Sequence, residues 1–128
     1  MSAAPKARPK YYDLSLANLP PPGLVSIFHR ISGALLFFPA LPIALYILHT
    51  TLGSAEGYAR WAAFFDRPAV KVIVILAAWG YAHHFFAGIR YLLLDLHIGI
   101  DKPAAGSTAI AVLVLGFLAT VAIAWCIW

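Results

Sequence analysis

Three apolar stretches, at about residues 23–48, 69–97 and 107–128, dominate this chain. Each reaches the ~20 residues that an α-helix needs to cross the hydrocarbon core of a bilayer. Inside that core no water satisfies open backbone groups, so a spanning segment must close its own hydrogen bonds as a helix or pair within a closed barrel. Runs this long and this apolar take the helical route. Composition agrees: 62% of the 128 residues are hydrophobic, 11% are charged, and the mean hydropathy is +0.84. A soluble domain carries about a quarter charged residues. The expectation is an all-α membrane protein with three transmembrane helices, residues 23–128 forming one anchor domain behind a cytoplasmic N-terminal arm over 1–22.

Several function classes drop out. The single cysteine, Cys126, leaves no disulfide framework, no cysteine-ligated iron–sulfur cluster and no CxxCH haem attachment within the chain. A net charge of +4, spread along the sequence, is a topology signal rather than a nucleic-acid footprint. Residues 1–19 hold Lys6, Arg8 and Lys10 but no apolar core, so they read as an irregular soluble-side arm and not as a signal peptide. With Lys102 in the second loop, against Arg60 and Arg67 in the first, these charges predict a cytoplasmic N-terminus and an outer-face C-terminus.

Helix punctuation refines the spans. Asp66 before Arg67-Pro68 reads as the N-cap of the second helix, and Asp101 before Lys102-Pro103 as that of the third. Pro39 and Pro42 predict a kink in the first. The connector over 50–65 contains YARWAAFF, suited to the membrane interface, as are Trp61, Trp125 and Trp128.

Against this background the ionisable residues within the spans are conspicuous: His29, Arg30, His83, His84, Arg90 and Asp95, with Ser26 as a polar neighbour. Each is costly in lipid without a partner, and so marks a candidate site. At ~1.5 Å per residue, Arg30 and Arg90 lie about 12 and 10 Å from the cytoplasmic edge, His84 about 20 Å deep, and Asp95 almost at the surface. His84, Gly88, Tyr91 and Asp95 share one helical stripe; Ser26, Arg30, Gly33 and Phe37 share another on the first helix. His83, Ala87 and Arg90 make a neighbouring stripe. Such stripes serve either a cofactor or interhelical hydrogen bonding.

A deep histidine suggests a metal ligand, most simply for the iron of a b-type haem. Arg30, Arg90 and His29 nearer the surface would suit anionic propionates. On the first helix the depth of His84 falls near Leu35, and the third helix has no histidine. A second axial ligand would therefore come from another chain, making this one part of a multi-subunit helix bundle.

SIFHRISG (26–33) and HHFFAGIRYLLLD (83–95) resemble the two signature segments of the cytochrome b large membrane-anchor subunit of succinate dehydrogenase, respiratory complex II. RPKYYDLSL (8–16) looks like that family's arm. The resemblance implies a succinate:quinone oxidoreductase subunit that does not itself oxidise succinate, in a bacterial inner membrane. His84 would be the axial ligand of haem b, with His29, Arg30 and Arg90 beside the haem, and Ser26, Arg30 and Asp95 at the ubiquinone site. Tyr91 stands where a histidine is often found. Implied partners are a second membrane-anchor subunit supplying the other haem ligand, an iron–sulfur subunit and a flavoprotein subunit. Alternative readings are an anchor of a fumarate reductase or other quinone-linked dehydrogenase, a small channel or transporter subunit, or a membrane scaffold.

Overall fold

The computed structural model describes residues 18–128, and the basic segment over 1–17, with the arm motif RPKYYDLSL, lies outside them. Helices account for almost all of the described residues, and there is no strand among them. The first span is one continuous rod, Pro21–Gly53, built of α1 (Pro21–Leu35), a single π-helical stretch (Leu36–Ala40) and α2 (Leu41–Gly53). Prolines open α1 without cost, since first-turn N–H groups have no intrahelical acceptor. Pro39 sits inside the π stretch. Its missing N–H and bulky ring disrupt the i→i−4 ladder, and the wider π turn absorbs that disruption. At Pro39, one of the two prolines expected to kink the span, the structure shows this π stretch.

Ser54, in extended backbone, ends α2 and opens α3 (Ala55–Phe65), its Oγ accepting from the Gly57 N–H at 3.0 Å. The helix folds back on α2: Trp61 Nε1 donates to Thr50 Oγ1 at 2.8 Å, and Gly57 is buried against the Thr50 carbonyl. The connector is therefore a helix, not a loop.

α4 (Pro68–Asp95) begins at Arg67, not Asp66. Asp66 instead ends α3 and reaches Lys71, one turn into α4, at 3.0 Å. The expected Asp66 cap fails because Arg67 supplies the extended residue that a cap position needs, one residue later. At the far end His97 (φ 61°) takes the left-handed conformation, and the Ile98 and His97 N–H groups bond the Leu93 and Leu94 carbonyls, a Schellman closure. Asp101 then caps α5 (Lys102–Ile127) through the Ala104 N–H at 3.2 Å, as its sequence context predicts.

Small residues decide the packing. Ala109, Val112, Gly116 and Thr120 form the buried stripe of α5, facing Ala82, His83, Ala87 and Arg90 of α4. Without large side chains the backbones approach closely, the usual way helices associate where lipid offers no hydrophobic drive. Val25 of α1 closes the cluster with Ala87, Ala109 and Val112. Outside that seam the chain exposes large apolar residues throughout, among them Phe38, Leu52, Leu92 and Phe117. Three helices are long and apolar enough to cross a membrane, Pro21–Gly53, Pro68–Asp95 and Lys102–Ile127. In lipid such a surface needs no cover.

Candidate functional site

α1 runs antiparallel to α4, so the start of the first and the end of the second share one face of the bundle. The two adjacent histidines of α4 then part company, because consecutive helical residues point about 100° apart. His83 is fully buried at the junction of all three helices. Its ring clusters with Trp79, stacked at 5.5 Å, and Phe28, edge-on at 5.8 Å, and α5 passes against the His83 backbone at Gly116. His84 turns instead onto the partly open face between α1 and α4.

There its Nδ1 lies 3.1 Å from the His29 carbonyl and 3.3 Å from the Ser32 hydroxyl, while Ser32 Oγ itself donates to that carbonyl at 3.1 Å. A carbonyl can only accept, so the bonded tautomer carries its proton on Nδ1. That leaves the Nε2 lone pair free. The His29 ring stacks on His84 at 4.2 Å with 6° between planes, and Tyr91 follows at 5.0 Å from His29. Gly33 makes room for the His84 ring, whereas at Gly88 a methyl would fit in ordinary contact. A Cβ at residue 33 would come within 2.9 Å of His84 Cε1, and one at residue 88 would meet His29 Nε2 at 3.9 Å.

The other sequence candidates divide. Arg30, exposed, and Ser26, half-buried, stand on the third and second turns of α1, and Asp95 is the exposed last residue of α4. These three lie toward the same end of the bundle as Tyr91. Arg90 is turned toward α5. It is buried, its Nε donates to Thr108 Oγ1 at 3.1 Å and its Nη2 to the Ala105 carbonyl at 3.2 Å, both on α5. The reason is rotational: Arg90 lies on the His83 stripe, which is the packing stripe. Ser32 was not singled out by sequence reading. Its signal was present, three residues after His29 and directly before Gly33, but a serine in a membrane helix usually bonds its own backbone.

The donor set fits a haem better than a bare ion. Among the described residues no cluster of three or more His, Cys, Asp or Glu side chains is placed to hold a metal. One imidazole with its Nδ1 fixed on a carbonyl and its Nε2 free is what a metal bringing its own equatorial ligands requires.

Residues 4–123 match the family described as Succinate dehydrogenase/Fumarate reductase transmembrane subunit. The chain is similar to the succinate dehydrogenase cytochrome b556 subunit of Coxiella burnetii (strain RSA 493 / Nine Mile phase I), with 35% identity over 122 residues, 94% of this chain and 97% of that protein. It is similar to the proteins of the same name from Rickettsia felis, 26% identical over 113 residues (88% and 87% of the two chains), and Rickettsia bellii, 28% over 97 residues (76% and 74%).

Proposed function

The chain belongs to the Succinate dehydrogenase/Fumarate reductase transmembrane subunit family, and from that premise we propose that it binds haem b and forms part of a ubiquinone-reduction site. The observation that carries the reading is the His84 imidazole, fixed through Nδ1 on the His29 carbonyl at 3.1 Å with Nε2 free. His84 would be the axial ligand, and the haem would supply a one-electron store near the quinone.

The chain's own residues do the rest. The His29 carbonyl and Ser32 hydroxyl orient the His84 ring and fix its tautomer. The stacked His29 ring walls one side of that imidazole. Arg30, nearer the face, offers a charge-assisted hydrogen bond to a propionate or to a quinone oxygen, stronger where water is excluded. Ser26, one turn earlier, is a second donor to that oxygen, and Asp95 at the same end is a carboxylate through which a proton can be delivered. Arg90, with two of its five donors committed to α5, adds fixed positive charge at mid-depth.

In this reading succinate is oxidised in a flavoprotein subunit, and an iron–sulfur subunit passes electrons to quinone. A second membrane-anchor subunit supplies the other haem ligand. The complex lies in a bacterial inner membrane with the N-terminus of this chain cytoplasmic. The test is the absorbance spectrum of the purified complex. A reduced b-type band is expected, and His84→Ala should abolish it while the subunits still co-purify. A band that survives His84→Ala would remove the ligand assignment.

A further inference from the structure

The histidine the proposed function leaves unused is the more deeply placed one. His83 is the largest fully buried side chain, and its Nδ1 has no hydrogen-bond partner among the described residues. A buried orphan of this kind carries a cost that an apolar residue of similar size would avoid. Its other nitrogen, Nε2, lies 3.5 Å from the Val25 carbonyl, a long hydrogen bond in which Nε2 must donate. Val25 is the residue whose carbonyl, in α-helical geometry, accepts the N–H of His29. The carbonyl of His29 in turn faces His84 Nδ1.

Consecutive side chains of α4 thus hold consecutive turns of α1. His83 touches Val25 and Phe28, and His84 touches His29, Ser32 and Gly33. Behind His83 the third helix packs along the α4 backbone, where a Cβ at Gly116 would rest at ordinary contact distance, 3.5 Å from His83 Cα and 3.6 Å from its N. A roll of α4 about its axis, or a retreat from α1, would break the contact of His83 with the Val25 carbonyl. A roll of one residue, about 100°, would carry His84 off Gly33.

We propose that His83 is a positioning residue: its Nε2–H, donating to the Val25 carbonyl, sets the rotation of α4 against α1 and so holds His84 over Gly33 with Nε2 presented outward. This rests on the haem reading above and adds to it a residue that touches neither the haem nor the quinone. An apolar side chain could fill the same volume, but it would lack the directed bond to one carbonyl that favours this rotation.

The test compares the purified complex carrying His83→Leu, which fills the space without a donor, with His83→Gln, whose amide nitrogen reaches the place of Nε2. Haem is followed by its reduced spectrum, its midpoint potential and its rate of transfer to an apo-globin acceptor. Loosening a residue that orients a metal ligand typically costs 10–100-fold in affinity. His83→Leu should therefore release haem at least about tenfold faster, with a shifted midpoint potential, and His83→Gln should restore both. Unaltered release and potential in His83→Leu would overturn the positioning role. If His83→Leu fails to assemble, recovery of assembly and potential by His83→Gln supports the role, and failure of both variants overturns it. The parent reading fails separately, through a complex without a b-type band or one that keeps it in His84→Ala.

Discussion

Gly33→Ala isolates the fit between α1 and the His84 imidazole. The added Cβ would lie 2.9 Å from Cε1 and 3.4 Å from Nδ1. Carbon atoms rest at about 3.5–4.0 Å, so the ring must withdraw by at least about 0.6 Å. Its Nδ1 starts 3.1 Å from the His29 carbonyl; a withdrawal of that size leaves little or no hydrogen bond. The lost bond costs about 1 kcal/mol, and overpacking a fitted contact adds about 1–3 kcal/mol. Against this, alanine gains about 1 kcal/mol over glycine in helix propensity. The balance is destabilising by about 1–3 kcal/mol, concentrated on His84. Gly80→Ala is the matched control, since a Cβ there meets nothing within 4 Å. Haem content, midpoint potential and thermal midpoint of the purified complex are the measurements. Gly33→Ala should lower haem content and shift the potential, while Gly80→Ala leaves both unchanged. A Gly33→Ala complex indistinguishable from Gly80→Ala would refute the reasoning, because the ring would then have room to spare.

Other contacts give independent predictions. Thr108→Val removes the acceptor of the buried Arg90 Nε, and should cost about 1.5–3 kcal/mol, the usual worth of a hydrogen bond to a charged group, read as a lower thermal midpoint with the haem spectrum intact. Gly57→Ala drives a Cβ into the Thr50 carbonyl, so the α2–α3 corner should open and the Trp61 emission shift as its bond to Thr50 is lost. Arg30→Ala should slow quinone reduction while the same complex still oxidises succinate with an artificial acceptor; equal loss of both rates would point to failed assembly instead.

Much of the architecture was legible because membrane helices obey short-range rules. Length and apolarity marked the three spans, and Asp101 before Lys102-Pro103 marked the start of α5. Pro39 marked a break in the α-helical ladder, though not that a π stretch would absorb it. Asp66 misled, since a capping side chain is defined by the backbone angles of its own residue, and those belong to Arg67. The stripe containing His84, Gly88 and Tyr91 was visible as a periodicity. Its neighbour, with His83, Ala87 and Arg90, had an equally good periodicity, and nothing local says which of two adjacent stripes faces another helix.

That last choice separates the two levels. Sequence alone determined that this chain forms membrane-spanning helices and carries histidine and arginine in the lipid-depth segments, because the bilayer imposes length, apolarity and internal hydrogen bonding on each helix by itself. Only tertiary structure decided which histidine is sealed and which lies on the partly open face, and that Arg90 bonds Thr108 and Ala105 of α5. α4 packs between two other helices, against Gly116 and the small residues of α5 on one side and against Val25, Ser32 and Gly33 of α1 on the other. Those residues lie 20 to 60 positions away in sequence, where no helical period can register them.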